Sequence, residues 1–307
     1  MEDIKNSNTL PHILVVGSSN TDMVVNAARL PLPGETIMGG RFFMNPGGKG
    51  ANQAVAAARL GACVTFVCKV GNDIFGQQAI DTFRNEGIDT SSVLTDEELP
   101  SGVALITVDA HAENCIVVAS GSNANLLPAG LSGVEKSVEQ SDVVLLQLEI
   151  PMETVEYIAG LAKGKGKRLI LNPAPAQTLS SSLLKNLYLI TPNETEAGLI
   201  TGIKVVDDTS ACLAAKELCR MGVQHVIITR GSKGALVYSD LQMEYVPAVR
   251  TIAVDTTAAG DVFNGALAVA LGEGKALLEA VRFANRAAAI SVTRSGAQNS
   301  IPFRSEL

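Results

Sequence analysis

From residue 143 to residue 229 the chain repeats one rhythm: a short unbroken apolar run, then a longer stretch whose apolar residues recur at helical spacing. The runs at 143–148, 168–171, 187–190 and 226–229 have the length and continuity of strands buried on both faces. Residues 131–140, 152–163, 195–201 and 210–221 read as the helices around them. Strands buried on both sides need helices on both sides. The alternation therefore predicts an α/β fold, a three-layer, mostly parallel sheet flanked by helices on both faces. The N-terminal part begins the same way, with a strand at 12–16, an Ala-rich helix at 50–60 stopped by Gly61, a strand at 64–70 and a helix at 74–86 closed by Gly87. Two places break the rhythm. Residues 23–28 and 36–44, separated by Pro31, Pro33 and Gly34, form one imperfectly alternating β patch, and 103–108 with 115–120 form another. These are expected to pair as a small sheet inserted from about 22–45 and 100–120 into a single domain spanning 1–307. A hairpin at 235–238 and 243–246 and two helices, 261–271 and 277–293, close the chain, while residues 1–11 read as a loose tail.

Bulk properties narrow the function. Lys and Arg number 24 against 31 Asp and Glu, a net charge of −7 with no basic tract, which argues against a nucleic-acid platform. The N-terminus is acidic and leads into only a short apolar run, and no window approaches the length of a membrane span, so a cytoplasmic protein is expected. Cys63, Cys68, Cys115, Cys212 and Cys219 form no C-x-x-C and sit mostly in apolar runs, as buried free thiols of a reducing compartment would. His12, His111 and His225 are isolated. Neither a P-loop, a G-x-G-x-x-G fingerprint nor a G-x-S-x-G elbow is present.

What remains is a set of polar residues at the carboxyl ends of the expected strands, where open α/β sheets bind ligands. The segment Asp255-Thr256-Thr257-Ala258-Ala259-Gly260-Asp261 feeds small residues into a helix whose apolar face includes Val262, Phe263, Ala266 and Leu267. A helix start favours an anion, and a carboxylate beside an anion makes sense if Asp261 takes a proton from a hydroxyl attacking a phosphoryl group. A capping aspartate accounts for this junction equally well. Asn20 and Asp22 follow the first strand, where an Asx turn is the simpler reading. Gly47-Gly48-Lys49-Gly50-Ala51-Asn52 combines close backbone access with a cation and an amide, or is a flexible loop with a solvated lysine. Glu149 ends a buried strand and either reaches solvent or accepts hydroxyls. Asn193 and Glu196 suit a capping box, and Glu196 equally suits a carboxylate that organises a Mg²⁺-bound water. Thr229, Arg230, Gly231, Ser232, Lys233 and Gly234 offer small donors and cations to phosphates, or simply turn the chain. Taken together, hydroxyl-reading groups lie in the N-terminal half and phosphate-friendly loops in the C-terminal half, the division of labour of a kinase acting on a polyol.

The stretches 47–54 and 255–261 resemble the two signatures of the ribokinase-like (phosphofructokinase-B type) sugar kinases. The resemblance continues through Asn20-Thr21-Asp22, 173–176, 192–196 and 295–298, in order and over nearly the whole chain. It implies transfer of the ATP γ-phosphoryl group to the 5-hydroxyl of D-ribose. Asp261 would be the base, and the N–H groups of Ala258, Ala259, Gly260 and Asp261 an anion hole. Asn20, Thr21, Asp22, Gly48, Lys49, Gly50, Ala51, Asn52 and Glu149 would hold the sugar. Asn193, Thr229–Gly234, Gly260 and Asn285 would meet ATP, with Glu196 near Mg²⁺. A monovalent-cation site for K⁺ would comprise Asp255, Thr257, Ser291, Arg294, Gly296 and Ser300, partly through backbone oxygens. The two β patches would be a lid that covers the sugar and pairs with a second copy in a homodimer. Rival readings are a relative acting on deoxyribose, fructose or adenosine, and a non-catalytic sugar-binding regulator on the same scaffold.

Overall fold

In the computed structural model, which describes residues 10–111 and 113–307, strand β1 (His12–Val16) splits its apolar side chains between two cores. Ile13 and Val15 enter one and Leu14 and Val16 the other, because successive strand residues point to opposite faces. The chain continues through β2 (Asn20–Asn26), β3 (Arg41–Gly47), α1 (Lys49–Arg59), β4 (Cys63–Gly71), α2 (Ile74–Asn85), β5 (Val93–Asp96), β6 (Gly102–Val108) and β7 (Asn114–Ala119). Then come α3 (Val134–Gln140), β8 (Val143–Leu146), α4 (Met152–Gly164), β9 (Arg168–Leu171), α5 (Ser181–Asn186), β10 (Leu189–Ile190), α6 (Glu194–Thr201) and α7 (Asp208–Arg220). The last elements are β11 (His225–Thr229), β12 (Ala235–Ser239), β13 (Gln242–Val246), α8 (Ala259–Gly272) and α9 (Leu277–Ser291).

Nine strands form the main sheet, in the order β13-β12-β11-β10-β9-β8-β1-β4-β5. Pairing is parallel from β11 across to β5, and at the other edge β11–β12 and β12–β13 are antiparallel. Helices α1, α8 and α9 cover one face with Ala51–Ala57, Val262–Leu271 and Ala280–Ala287, while α4 and α7 cover the other with Val155, Ile158, Ala214 and Leu218. These are the three layers expected from the alternation. A second sheet, β3-β2-β6-β7, stands apart. The two β patches do pair, and they do so in parallel, Asn20 with Gly102 through Asn26 with Val108. Parallel pairing is the consequence of returning to the main sheet through β4 and β5 between the two patches, since a tight hairpin joins only antiparallel strands.

Several elements differ from expectation. The run at 143–148 ends as a strand at Leu146, and beyond it Leu148 N donates to Ala174 O at 3.0 Å, in the loop after β9. The run at 187–190 pairs over only two residues. Strand β5 and helix α5, each short, have no counterpart in the periodicity. Helix α3 begins at Val134, after Gly133 takes a φ of 80°. The thiols are free, but only Cys68 is buried; Cys63 and Cys115 are exposed and Cys212 and Cys219 intermediate. Of the tail expected over 1–11, residues 1–9 lie outside the described residues. Pro11 is buried, and its carbonyl accepts from Cys63 N at 2.9 Å. Among the described residues no helix is long and apolar enough to cross a membrane.

Candidate active site

Strand order runs outward in both directions from β1, which has β4 on one side and β8 on the other. Such a reversal opens a crevice at the carboxyl ends of the strands. The loop after β1 and the start of α1 are pressed together there. A Cβ on Gly50 would stand 2.5 Å from Ser18 N, and one on Gly48, whose φ is 89°, 2.7 Å from Asn20 N. The glycines of 47–50 are what allow this approach, and Gly47 leaves its Cβ space to the Asp22 carboxylate.

Glu149 does not reach freely into solvent. Its Oε2 accepts from Ser18 Oγ at 2.6 Å and from the Lys49 backbone N–H at 3.0 Å, and Lys49 Nζ lies 3.9 Å from Oε1. Asn20 Oδ1 accepts from Asn123 Nδ2 at 2.8 Å. A cavity of about 380 Å³ opens beside these groups, lined by Asn20, Asn123, Glu149, Pro175 and Gln177 among others. Burial, with Glu149 and Asp261 nearby, pushes the Asp22 carboxyl up to about 6, against the pull of Lys49. Burial alone would lower Lys49, but the carboxylates of Asp261, Glu149, Glu196 and Asp22 outweigh it and hold the ammonium charged.

Asp261 is buried, 7% exposed, at the third position of α8. It is not the helix cap. The cap is Ala258, in the left-handed region at φ 60°, with no side chain to satisfy the first turn. A non-glycine residue held there is a local strain, and such outliers cluster at functional sites. Ala259 N donates to Thr256 O at 3.2 Å, while the N–H groups of Ala258, Gly260 and Asp261 have no backbone acceptor among the described residues. An Asp261 side chain free of capping turns toward α1. Asn52 Nδ2 donates to its Oδ2 and Gln53 Nε2 to its Oδ1, each at 2.9 Å. Burial raises its pKa and Glu149 adds to this, opposed by Lys49 and by the two amides.

Asn193 and Glu196, the latter close enough to feel the charge of Asp261, form the expected capping box: Glu196 N donates to Asn193 Oδ1 at 2.8 Å and Asn193 N to Glu196 Oε2 at 2.9 Å. Burial raises the Glu196 carboxyl despite that bond and the charge of Lys49. Thr229 N donates to Pro192 O at 2.9 Å, so the loop 229–234 starts beside this box. Its Arg230 does not project toward a ligand. The guanidinium is buried, donating to Glu194 at 2.9 Å and Asp208 at 2.5 Å. Lys233, half-exposed and 3.5 Å from Glu194, is the freer cation. Gly231 and Gly234 both take positive φ, so these glycines turn the chain whatever else they do. Asn285 donates to Pro247 O at 3.1 Å, tying α9 to the chain after β13.

The residues of the expected cation site are brought together. Asp255 accepts from Thr257 N at 2.9 Å and Gly296 N at 2.8 Å, joining the two segments. Despite burial, those hydrogen bonds hold its carboxyl below the usual range. Among the described residues the carbonyls of Thr257, Arg294 and Gly296 accept no backbone hydrogen bond, whereas Ser291 O takes Arg294 N. The Arg294 guanidinium pairs with Glu306, and Ser300 Oγ donates to Ala297 O at 2.8 Å. Free carbonyls around one carboxylate suit a weakly hydrated monovalent cation. Among the described residues no cluster of His, Cys, Asp or Glu could cage a metal, so a divalent ion would rest mainly on phosphate oxygens and water.

Gln53, Gln147, Asn123, Asn172 and the pair Thr191–Asn264 also belong to this centre; Gln53 lies within the 47–54 stretch but had no role assigned, and the others were not singled out. Gln147, a lone amide inside Leu145-Leu146-Gln147-Leu148, is the one signal that a reading for polar residues in buried runs would have caught.

Known proteins resemble this chain over nearly its full length. The chain is 46% identical over 294 residues to a ribokinase of Haemophilus influenzae, covering 96% of each chain. It is 38% identical to a deoxyribokinase of Salmonella typhi, covering 94% of this chain and 95% of that one. The structure of Arabidopsis thaliana ribokinase complexed with ribose and ATP superposes with a TM-score of 0.91 at 32% identity, covering 97% of both. The model of the pfkB family of carbohydrate kinases matches residues 10–304. With two facing sets of polar groups meeting at one buried aspartate, and with these likenesses over nearly its full length, the chain belongs to the pfkB family of carbohydrate kinases.

Proposed function

We propose that this ATP-dependent carbohydrate kinase transfers the γ-phosphoryl group of ATP to the 5-hydroxyl of D-ribose, releasing ADP and D-ribose 5-phosphate. The observation that carries the reading is the position of Asp261. Its carboxylate is buried between the amides of α1, on the side of Asp22 and Glu149, and the unfilled N–H groups at the start of α8. Asp22 and Glu149, when ionised, only accept hydrogen bonds and so suit sugar hydroxyls, with Asn20 and Lys49 completing the set. The 5-hydroxyl gives its proton to Asp261 as its oxygen bonds to the γ-phosphorus and the bond to the ADP oxygen breaks. The N–H groups of Ala258, Gly260 and Asp261 face the charge that builds on the phosphoryl oxygens, and donors fixed before the reaction need no reorganisation during it. Lys233 and the loop glycines lie on the phosphate side. Glu196, one of whose oxygens is free of the capping box, would hold a water of a Mg²⁺ that neutralises the β- and γ-phosphates. Asp255 and the carbonyls of Thr257, Arg294 and Gly296, with Ser291 and Ser300 alongside, would hold K⁺ and stiffen the loop leading to the anion hole.

The homodimer rests on the small sheet. Register places Met44, Met23, Leu105 and Val117 in one row, hence on one face, and Phe42 shares that face two residues on. Leu105, Val117 and Phe42 are all more than half exposed. A second reading, deoxyribose as acceptor, is favoured by the likeness to the Salmonella typhi enzyme. A coupled assay with ribose, deoxyribose, fructose and adenosine tests the acceptor. Ribose should give the highest kcat/KM, and a tenfold preference for any other acceptor, about 1.4 kcal/mol, overturns the assignment. The same assay in K⁺ and in Na⁺ at equal ionic strength should run faster in K⁺; equal rates refute the cation site.

A further inference from the structure

Beneath Asp261 lies a chain of buried amides joined by hydrogen bonds to one another and to its carboxylate. Gln53 sits on the turn of α1 that faces α8, wholly buried. Every polar atom of its side chain is used. Its Nε2 donates to Asp261 Oδ1 at 2.9 Å and to Asn172 Oδ1 at 3.0 Å, and its Oε1 accepts from Gln147 Nε2 at 2.6 Å. The direction of the chain is dictated from the carboxylate outward. Asp261 when ionised can only accept, so Gln53 must present its nitrogen, and its oxygen must then receive a donor. Gln147 supplies that donor at a cost. Its own Oε1 is buried without a partner among the described residues, and an unmet buried acceptor is destabilising. Turning the Gln147 amide over would set two oxygens against each other at Gln53.

Packing holds the chain as firmly as its hydrogen bonds do. A Cβ on Gly17 would lie 2.1 Å from Gln147 Oε1, and one on Gly265 2.8 Å from the Gln53 carbonyl. The three amides come from α1 and from the ends of β8 and β9, so the parts of the scaffold that flank the crevice converge on one carboxylate oxygen.

We infer that Gln53, oriented by Gln147 and Asn172, is a positioning residue that fixes the Asp261 carboxylate, in its proton-accepting state, toward the substrate hydroxyl. The inference rests on Asp261 being the base. Charged groups that also act on Asp261 are Lys49 from α1, Glu149 beyond β8, Asp22 from β2 and Glu196 from α6. Gln53 differs from them in being a neutral donor, so its removal leaves the charge balance of the site unchanged.

Gln53→Leu removes the donor with little change in volume. Kinetics of the full-length enzyme should show kcat reduced on the order of 10²-fold, the scale of a small misplacement of a reacting group, with KM for ribose and ATP nearly unchanged. The acid limb of its kcat–pH profile should move to higher pH, because a hydrogen bond favouring the ionised carboxylate is gone. Gln147→Leu, which does not touch Asp261, should show the same pattern more weakly, and the double variant should lose less than the product of the two. Wild-type kcat, an unmoved acid limb, or independent effects of the two changes would overturn the inference. Should Gln53→Leu fail to fold, Gln147→Leu carries the test alone, and an unchanged kcat and profile in it count against the relay. Asp261→Asn is measured in parallel: if that variant stays active the base assignment fails, and if it is inactive while the glutamine variants behave as wild type only the relay fails.

Discussion

Asp22 shows how a single side chain links environment to function. Its carboxyl is pushed up to about 6, chiefly by burial and by Glu149. A raised carboxyl is neutral below that value, and a neutral carboxyl accepts sugar hydroxyls poorly. Free of ligand, the fold gains from protonating Asp22, and that gain, complete below the unfolded value of about 4, is lost as pH rises through 6. Ribose binding has the opposite sign, because hydroxyl donors favour the charged form. KM for ribose should therefore climb as pH falls below 6, to about tenfold by pH 5, as one titrating group requires. Asp22→Asn should bind ribose weakly at every pH and lose this dependence; an unchanged slope in that variant would exclude Asp22 as its source. Arg230 illustrates the limit of a local reading. As a cation in a glycine-flanked loop it resembles a phosphate ligand, but Glu194 and Asp208, distant in sequence, consume its guanidinium. Pairing between residues far apart in the chain has no periodic trace.

Helices α1 and α8 meet through small residues, and that contact brings Asn52 and Gln53 to Asp261. A Cβ on Gly265 would lie 2.6 Å from Ala56 Cβ and 2.8 Å from the backbone oxygen of Gln53, so neither atom can swing away. Gly265→Ala should cost about 1–3 kcal/mol by overpacking, seen as a melting temperature lowered by about 2–4 °C per kcal/mol, together with a fall in kcat. Gly160, exposed on α4 with open space around it, is the control. Gly160→Ala should leave activity intact and stabilise by up to about 1 kcal/mol. Equal melting temperatures for the two variants would contradict the close contact. Elements of this kind were legible in the sequence where burial is continuous: the runs that became β1, β9 and β11 and the helices α1, α4, α7, α8 and α9 lie where periodicity put them. Short pieces escaped. Helix α5 and strand β5 are too brief to show a period, and the apolar run cannot reveal that after β8 the backbone at Leu148 bonds to the Ala174 carbonyl.

One polar set comes from the loops around β1 and β8 and another from those around β10 and β11, and strand β2 of the small sheet carries Asn20 and Asp22 of the first. If the exposed apolar face of that sheet pairs with a second copy, Leu105→Asp combined with Val117→Asp should yield a monomer by sedimentation at concentrations where the parent chain is a dimer. A parent that sediments as a monomer would contradict the paired lid. The proposed division into a hydroxyl-reading half and a phosphate-reading half follows the order of motifs, each of which lies close to the end of a strand. The place where they meet was not legible in that order: Asn52 and Gln53 lie in the first motif, but their bonds to Asp261 join residues more than two hundred positions apart, which no local pattern shows. That meeting point is tested most directly by Asp261→Asn, which keeps the shape of the side chain and removes its basicity. Calorimetric titration should find ribose and ATP bound much as in the parent, while kcat falls by roughly 10²–10⁴-fold, the usual contribution of a general base. A variant that binds both substrates and retains the parent kcat would show that the proton leaves by another route.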